Sequence, residues 1–398
     1  MNENIKIDIV IPYYNASSTI DKTFMSIAIQ NIKDKTHTIV IDDCSSEEES
    51  MKLLELIEFY KTYFSIEYYR LDKNSGPGVA RHEGLNKCTH EYVTFIDADD
   101  VFATSTALFV LLYQLETHEK SDIVSAPFLE EVHTREDVFD SIQSHTHDMT
   151  WMFGKLYRRS FLNKYNINFN ISRANEDSGF NGLCLLCSND DTIIYIDDVV
   201  YCWNYNPNSI TKNNDYNYNG LRGYIYNHIW SIHKALEIYV NNKDSINGSN
   251  IVCHTLNTLT LIFLYKMNLI LTERTQEELE EYDRWALDFY RDVYVYIRHN
   301  ITDEVFTQCY NTTWELHKDL IGNNILPKSI FDYLESLNNK MLEELDVIQA
   351  LDNQGNFIGY VKKDIVDSDR EIVEEDIIGI DKINKYLHNP DYIFKKIT

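Results

Sequence analysis

Short apolar runs alternate with longer stretches of helical periodicity over the first third of the chain. The apolar runs predict β-strands at Ile5–Ile11, Thr38–Ile41, Ile66–Arg70, Tyr92–Ile96 and Ile123–Ala126. The stretches between them predict helices at Ser18–Gln30, Glu47–Tyr63, Gly78–Asn86 and Ser105–His118. Strands that alternate with helices form a mostly parallel sheet flanked by helices. The pattern therefore predicts an α/β fold whose polar clusters meet at the carboxyl edge of the sheet.

The periodicity changes twice further along the chain. Residues 127–212 are less regular. They predict one helix that begins near Ser160, a second helix over Asp177–Leu186 and a strand over Thr192–Asp197. The later segments predicted to be helical are Leu221–Tyr239, Ile251–Leu271, Gln276–His299, which has a capping box at Thr275 and Glu278, and Asp303–Leu320. Val347–Leu351 and Phe357–Lys362 predict a hairpin. We therefore expect an α/β domain over 1–212, a helical domain over 213–345 and a small acidic α/β segment over 346–398.

Composition narrows the class of protein. The 398 residues are 44% hydrophobic and 13% aromatic, which is enough for at least one large core. A net charge of -27 disfavours general nucleic-acid binding, because it repels polyphosphates at long range. Of seven cysteines, only Cys184 and Cys187 have Cys-x-x-Cys spacing, and no second such pair accompanies them. We expect reduced, buried thiols rather than a zinc or redox site.

The apolar segments do not resemble targeting or membrane signals. The residues after Met1 lead directly into a short strand and not into the apolar run of a signal peptide. The longest apolar stretch, Ile251–Leu271, includes His254 and Lys266, which is unusual for a membrane span and typical of a buried helix. We expect a cytoplasmic protein, and peripheral contact with a membrane stays open.

Four polar clusters follow predicted strands or begin the helices after them. They are Pro12-Tyr13-Tyr14-Asn15, Asp42-Asp43-Cys44-Ser45, the glycine-rich run from Asn74 to Leu85 that contains Arg81, and Asp97-Ala98-Asp99-Asp100. Taken alone, the first is an ordinary turn and the second a helix N-cap with acids beside it. The third lacks the Gly-Lys-Ser/Thr ending of a P-loop, although its glycines allow close backbone approach and Arg81 can face a phosphate or a carboxylate.

The fourth cluster has the strongest chemical signal. Three carboxylates within four positions after a buried strand repel one another unless a cation lies among them. Hard oxygen ligands suit Mg²⁺ or Mn²⁺, and either ion can stabilise the charge of a departing nucleoside diphosphate. Asp97 and Asp99 are therefore the predicted metal ligands.

Together these motifs resemble the GT-A-fold family 2 glycosyltransferases, specifically bacterial and viral members that build capsules, lipopolysaccharide or teichoic-acid decorations. The resemblance covers roughly residues 5–212, where all four clusters occur in the family's order. It implies that the nucleoside is contacted by Pro12, Tyr14, Asn15 and Asp43. It further implies that Arg81 is a donor-site residue, that Asp97 and Ala98 line the ribose and diphosphate, and that Asp99 is the main metal ligand.

Downstream motifs extend the resemblance. Trp151–Arg159 contains a Gly-Lys-Leu-Tyr run like that of the family, and Glu176-Asp177 resembles its Glu-Asp pair, in which the Asp is the catalytic base. By themselves these two acids would be helix N-terminal residues. The segment from Tyr201 to Tyr205 resembles the end of the catalytic domain, with Asn204 or Asn206 in place of the usual Arg. His228 and His233 are candidate further ligands, although a histidine on a helix is more often structural.

The resemblance implies an inverting, single-displacement transfer from a nucleoside-diphosphate sugar, most simply UDP-linked, to a hydroxyl acceptor. We expect a glycan or a lipid-linked glycan precursor as acceptor. One alternative is a hydroxymethylated nucleic-acid base, as glycosylated by some viral enzymes, and an alternative of another class is a catalytically silent binding or assembly module. A nucleotidyltransferase is disfavoured, because residues 10–18 contain no Gly, Lys or Arg. The helical C-terminal region is a candidate surface for homo-oligomerisation.

Overall fold

The computed structural model describes residues 7–135, 138–172, 174–207, 216–242, 245–271, 274–300, 308, 326–352, 354, 357–368 and 373–379. The chain divides into two compact units, Met1–Ser231 and Ile232–Thr398. The predicted domain limits at residues 212 and 345 stay a prediction. Within the described ranges, no helix has both the length and the apolar character needed to cross a membrane.

The first unit contains two sheets and their flanking helices. Its strands are β1 (Ile7–Tyr13), β2 (Thr36–Asp42), β3 (Ser65–Arg70), β4 (Tyr92–Phe95), β5 (Val101–Phe102), β6 (Ile123–Ser125), β7 (Phe128–Arg135), β8 (Val138–Gln143), β9 (Lys155–Arg158), β10 (Ile193–Tyr195) and β11 (Tyr201–Trp203). Its helices are α1 (Ile20–Ala28), α2 (Glu47–Tyr60), α3 (Pro77–Lys87), α4 (Ala107–Thr117), α5 (Arg159–Lys164) and α6 (Glu176–Cys187).

The larger sheet has seven strands in the order β10-β6-β9-β4-β1-β2-β3. β1 pairs in parallel with β2 and β4, and β2 pairs in parallel with β3, so the predicted mostly parallel α/β sheet is confirmed. β9 runs antiparallel between β4 and β6. The smaller sheet has the order β5-β11-β7-β8. β5, β7, β8, β9 and β11 were not predicted. β5 has only two residues, and residues 127–212 lack the regular apolar runs of the parallel strands.

β1 is buried on both of its faces. Ile9 and Ile11 belong to the main apolar core, and each fully buried side chain of this size contributes roughly 1.5–3 kcal/mol to folding. Val10 lies against α3, where a Cβ on Gly84 would come within 2.3 Å of its side chain. The glycine therefore allows α3 to pack directly on the sheet. This close packing fixes the position of the other residues of α3 relative to the ends of the strands.

The second unit is mainly helical, as predicted. Its elements are α7 (Tyr216–Asn241), within which the division between the units falls, α8 (Gly248–Leu271), α9 (Gln276–Phe289), α10 (Val295–Asn300), α11 (Leu326–Leu345), β12 (Val347–Leu351), β13 (Phe357–Lys362) and α12 (Lys363–Asp367). The capping box of Thr275 and Glu278 and the antiparallel hairpin are confirmed. The predicted continuous helix over 276–299 is wrong in one detail, since Tyr290–Tyr294 forms a π-helical turn. Apart from residue 308, the helix predicted over 303–320 lies outside the described residues.

Candidate active site

The loops that follow β1, β2 and β4 emerge at one edge of the larger sheet. These strands are parallel neighbours, so their carboxyl ends lie side by side. The predicted site residues in these loops are Tyr14, Asn15, Asp43, Asp97, Ala98 and Asp99. The fold therefore brings the predicted donor-site loops to the same edge, as expected from the pattern of strands and helices.

Asp100 has a structural role within the acidic cluster after β4. Its carboxylate is fully buried and accepts the Tyr201 hydroxyl at 2.6 Å and the Asn204 main-chain amide at 2.8 Å. Burial raises the pKa of Asp100 well above its usual range, and the nearby Asp99 carboxylate adds to the shift. Asp100 thus ties the turn after β4 to β11, and the carboxylates of Asp97 and Asp99 remain as the two candidates for binding a ligand.

Asp99 is held by two asparagines. Asn206 Nδ2 donates to its Oδ2 at 2.8 Å, and Asn204 Nδ2 donates to its main-chain carbonyl at 2.7 Å. Burial raises the pKa of the Asp99 carboxyl, and the neighbouring Asp97 raises it further. Asn204 and Asn206, one of which was predicted to replace the family's usual Arg, therefore orient Asp99 through neutral amides. They bring no positive charge to the acidic turn.

Arg81 connects the acidic turn to the start of α6. Its guanidinium is buried, and it donates one hydrogen bond to Asp97 Oδ1 and another to Glu176 Oε1. The planar guanidinium suits this bridging arrangement, because its donors project in fixed directions. Sequence reasoning predicted that Arg81 faces a phosphate or a carboxylate. In the structure it faces two carboxylates, and these belong to two different motifs.

Gly78 explains how Arg81 can reach Glu176. A Cβ at this position would lie 2.6 Å from the Asn170 carbonyl oxygen, 2.7 Å from the Ser172 carbonyl oxygen and 3.0 Å from Glu176 Cγ. These contacts are shorter than normal carbon contacts, so only glycine allows α3 to pack against the segment before α6. Arg81 lies one helical turn after Gly78, on the same face of α3. At Gly78, the close approach predicted for these glycines is to the protein's own backbone.

Glu176 and Asp177 form the first turn of α6 and are both buried. Asn175 precedes them with a φ of 56°, and this left-handed residue turns the chain sharply into the helix. Burial raises the pKa of Asp177 to about 7, and the adjacent Glu176 raises it while Arg81 lowers it. Burial also raises the pKa of Glu176, against the opposing effect of Arg81. Asp177 is therefore a carboxylate that exchanges a proton near neutral pH.

Lys155 is a buried cation that sequence reasoning did not select. It is 1% exposed, and its ammonium donates to the Phe153 carbonyl at 3.1 Å. Burial lowers the pKa of Lys155 to about 8, while Asp148 and Asp177 favour its charged form. The signal was available in the Gly-Lys-Leu-Tyr run, because a lysine that begins a buried strand needs a partner or a function. The antiparallel strand β9 places Lys155 where the negative charge of Asp177 favours the charged form of the ammonium.

The predicted nucleoside-contact residues differ in how they are held. Both carboxylate oxygens of Asp43 accept main-chain amides, those of Ser75 and Gly76, at 2.7 Å each. The main-chain amide of Asn15 donates to Ser45 Oγ at 2.9 Å, and the side-chain Oδ1 of Asn15 accepts the main-chain amide of Ser46 at 3.0 Å. Asp43 and Asn15 thus connect neighbouring loops. Tyr14 is 51% exposed, which leaves its ring accessible to a ligand.

The positions of the other predicted residues say less about function. Pro12 is partly buried near the end of β1, and Ala98 is 6% exposed in the acidic turn. His233, a candidate further ligand, is 2% exposed in the second unit, and burial lowers its pKa to about 3. Cys184 and Cys187 are free and buried, as expected.

Sequence reasoning also missed the role of Tyr201, whose hydroxyl accepts the main-chain amide of Asp97 at 3.2 Å.

Comparison with known proteins agrees with the architecture. The structure of S. aureus TarS superimposes with a TM-score of 0.55 at 18% identity, covering 88% of this chain and 56% of that chain. The structure of S. aureus TarS 1-349 in complex with UDP gives a TM-score of 0.50 at 19% identity, covering 89% of this chain and 96% of that chain. At this level of identity the similarity shows the fold. The first unit accordingly has a GT-A-like fold with an acidic turn at the carboxyl edge of its sheet.

Sequence comparison finds a family for part of the chain. Residues 8–175 match the family described as Glycosyl transferase family 2. Cholesterol galactosyltransferase of Borreliella burgdorferi is 31% identical over 123 residues, which are 31% of this chain and 32% of that protein. The matched part is 13% to 32% of the length of the first three curated relatives. Residues 8–175, which are less than half of the chain, are therefore similar to glycosyl transferase family 2, the family that the motifs predicted.

Proposed function

We propose that this chain is an inverting glycosyltransferase that moves a sugar from a UDP-linked donor to a hydroxyl of a glycan or lipid-linked glycan precursor. One observation carries the proposal: Arg81 bridges Asp97, in the acidic turn, and Glu176, beside Asp177. The bridge places the residues predicted to bind the donor next to the residue predicted to activate the acceptor. Direct displacement at an anomeric carbon requires this proximity of the two substrates.

Asp177 is the proposed base. A carboxylate whose pKa is raised to about 7 is well matched to proton transfer at neutral pH, because it is both ionised in part and basic enough to accept a proton. Asp177 takes the proton of the acceptor hydroxyl as that oxygen bonds to the anomeric carbon. The bond between this carbon and the diphosphate oxygen breaks in the same step, and the nucleoside diphosphate leaves. A single displacement of this kind inverts the anomeric configuration.

Arg81 and Glu176 position the reacting groups. The guanidinium partly neutralises Asp97 and Glu176, so the acidic turn and the start of α6 can lie close together without strong repulsion. Glu176 in turn raises the pKa of Asp177 by its charge. The arginine therefore acts on both halves of the site, since it holds the geometry and limits the excess of negative charge.

The residues of the acidic turn fit a divalent cation. Asp97 has a side chain that is 28% exposed, and Asp99 is a partly buried carboxylate whose described side-chain partner is a neutral amide. Two such carboxylates are hard oxygen ligands in need of positive charge. Asp99 and Asp97 would hold Mn²⁺ or Mg²⁺, which would stabilise charge on the leaving diphosphate.

The relatives support the choice of donor and the general class of acceptor. TarS 1-349 is described in complex with UDP, and Tyr14 in this protein is an exposed aromatic ring at the carboxyl edge of the larger sheet. The curated relatives include a cholesterol galactosyltransferase and a poly(ribitol-phosphate) beta-glucosyltransferase, which act on different acceptors. We therefore propose a UDP-sugar as donor and leave the acceptor as a hydroxyl-bearing glycan or lipid-linked glycan.

The donor half can be tested without knowing the acceptor. Wild-type protein and Asp99→Asn are incubated with a panel of nucleotide sugars, with and without Mn²⁺ or Mg²⁺, while donor hydrolysis and the thermal midpoint are measured. We expect a response to one UDP-sugar that requires the metal and is lost in Asp99→Asn. Asp34→Asn is the matched control, because it makes the same chemical change at an exposed site away from the acidic turn.

Each result of this panel distinguishes a function. A metal-dependent response in the wild type and the control, lost in Asp99→Asn, supports the donor site. Donor binding with neither hydrolysis nor transfer to any acceptor would indicate the silent binding module. Transfer to DNA that contains hydroxymethylated bases, with none to glycans, would replace the proposed acceptor class. The absence of any response to any donor would contradict the proposal.

A further inference from the structure

A second polar cluster lies at the opposite, amino edge of the larger sheet. It consists of Asp8 in β1, His37 in β2 and His90 just before β4. The parallel register pairs Asp8 with His37 and brings the start of β4 alongside β1. Nδ1 of His37 lies 2.9 Å from Asp8 Oδ1, and Nδ1 of His90 lies 2.7 Å from the same oxygen. We call Asp8, His37 and His90 the amino-edge cluster.

The amino-edge cluster is distinct from the candidate active site. Asp8 is the second residue of β1, whereas Tyr13 is its last residue and precedes the loop of the donor edge. Five strand residues at about 3.3 Å each separate the two edges by roughly 17 Å. One metal ion cannot contact both, so this cluster and the pair of Asp97 and Asp99 are separate candidates.

The electrostatics of Asp8 call for a positive charge. The carboxylate is 0% exposed. Its Oδ2 accepts the main-chain amides of Thr89 and His90, both at 2.8 Å. Among the described residues, its only partners within ion-pair distance are the two histidines. A buried carboxylate is costly unless hydrogen-bond donors or a cation compensate its charge, and an imidazolium or a bound metal ion would supply a full positive charge here.

The three side chains match the ligands of a borderline divalent metal. One ligand atom from each lies within 4.8 Å of the others. In a tetrahedral zinc site with bonds of 2.0–2.2 Å, neighbouring ligand atoms are roughly 3.4 Å apart. The two N–O distances of 2.9 and 2.7 Å therefore need to open by only about half an ångström, which small side-chain rotations supply. Two imidazoles and a carboxylate favour Zn²⁺ over Mg²⁺.

The surroundings of the amino-edge cluster have the features of a metal site's outer shell. The two amides on Asp8 Oδ2 fix the carboxylate and leave Oδ1 directed at the histidines. Nε2 of His37 lies 3.6 Å from a Glu67 carboxylate oxygen, close to the carboxylate–histidine arrangement that orients zinc ligands. Arg159 donates to the carbonyls of Thr89 and His90 and so holds the segment that carries the third ligand.

Solvent can reach the amino-edge cluster. The side chains of His37 and His90 are 13% and 26% exposed, while Asp8 is covered. A metal ion can therefore enter from solution, and a water molecule can occupy a fourth position. We propose that Asp8, His37 and His90 form a Zn²⁺ site that joins β1, β2 and the start of β4 at the edge of the sheet opposite the donor site. Because three strands share the ion, its role is structural.

Direct metal binding tests this proposal. Full-length protein is freed of metal with a chelator and titrated with Zn²⁺ by calorimetry, and with Co²⁺ by its visible absorption, which reports tetrahedral coordination. We expect one equivalent per chain with nitrogen and oxygen ligation. His37→Gln and His90→Gln are each expected to weaken Zn²⁺ binding at least ~10-fold. The matched control His118→Gln removes an exposed imidazole at the end of α4 and is expected to bind Zn²⁺ as the wild type does.

Two further comparisons make the result decisive. Asp99→Asn should retain the zinc affinity of the wild type, because its carboxylate lies at the other edge; a loss there would assign the ion to the donor site and overturn the proposal. Circular dichroism identifies any variant that fails to fold, and wild-type stoichiometry and Co²⁺ absorption then decide alone. Absence of stoichiometric Zn²⁺ binding, with a thermal midpoint that depends on pH near the histidine pKa instead, would show an imidazolium network and overturn the proposal.

Discussion

The two edges of the same parallel sheet hold buried carboxylates in opposite electrostatic settings. At the amino edge, Asp8 accepts two main-chain amides and faces two imidazoles. At the carboxyl edge, Asp97 and Glu176 share the single guanidinium of Arg81, while burial raises the pKa of Asp99 and Asp177. The hydrogen bonds of Asp8 lower its pKa in spite of burial.

This difference teaches where chemistry can occur. A carboxylate whose protein donors favour its ionised form is stabilised as an anion and does not exchange a proton near neutral pH. A carboxylate that is buried beside other acids holds its proton more tightly and can exchange it under working conditions. The amino edge is therefore suited to holding the sheet together. The carboxyl edge is suited to binding a cationic or phosphorylated ligand and to moving a proton.

The largest expected effect follows from removing the proposed base. Asp177→Asn keeps the size of the side chain but cannot accept the acceptor proton, so transfer should fall roughly 10²–10⁴-fold. Donor-induced thermal shifts should persist, because the acidic turn is unchanged. Steady-state transfer assays and thermal melts measure the two effects, with Asp34→Asn as the control. Transfer within a few-fold of the wild type would exclude Asp177 as the base.

Shortening the bridge should give the next largest effect. Arg81→Lys retains the charge but replaces a planar fork by a single ammonium, which cannot donate to Asp97 and Glu176 in the same geometry. We expect transfer to fall ~10–100-fold and the protein to lose stability by about 3 kcal/mol, as when a buried ion pair is broken. Denaturant unfolding and initial rates measure both quantities.

A matched exposed arginine controls for that substitution. Arg284→Lys alters an ion pair with Glu344 in the second unit, where the arginine side chain is 49% exposed. Exposed pairs contribute about 0–1 kcal/mol, so this variant should resemble the wild type. Equal losses in Arg81→Lys and Arg284→Lys would contradict the bridging role of Arg81.

The pH dependence should separate the two edges further. With a pKa of about 7 for Asp177, kcat/KM is expected to fall tenfold per unit as the pH drops below that value. A raised carboxyl pKa means that the folded state binds the proton more tightly than the unfolded chain, so stability from this group declines as the pH rises toward 7. The stability of Asp177→Asn relative to the wild type should therefore increase by ~2–3 kcal/mol between pH 5 and pH 8.

Two results would contradict this prediction about Asp177. The acid limb is measured in the free enzyme from kcat/KM, and the stabilities come from denaturant titrations at both pH values. A flat rate profile between pH 5 and 8, or a stability difference that does not change with pH, would show that Asp177 does not titrate near neutrality.

The smallest effect on activity is expected at the amino edge. Asp8→Asn keeps the shape but removes the charge, so unfolding of the chelator-treated protein should become easier by about 1–3 kcal/mol. Its kcat, measured with Mn²⁺ or Mg²⁺ restored, should be unchanged. The pKa of Asp8 is lowered in the folded state, so its contribution is present above the unfolded value and is lost as the pH falls through the folded value. The cost of the substitution should accordingly vanish in strong acid. A large fall in kcat would break the distinction between the two edges.

Much of the fold could be predicted because parallel strands that are buried on both faces have continuous apolar runs. The runs at β1, β2 and β4 predicted their own positions within a few residues, and the residues after them were expected at one edge. β9 was not predicted, because a four-residue strand that begins with Lys155 and ends with Arg158 lacks such a signal. The positions of Arg81 and Asp177 in the motifs were recognised, but their spatial relation was not.

By itself, the sequence determined the α/β class, the family and the residue types available for chemistry, since these depend on local periodicity and motif order. Only the tertiary structure decided which charges meet. Arg81 contacts Glu176, 95 positions away in the chain, and Asp100 accepts a hydrogen bond from Tyr201. Asp8 contacts histidines from two other segments. The physical reason is that the state of an ionisable group depends on burial and on neighbours distant in sequence, and both arise only when helices and strands pack.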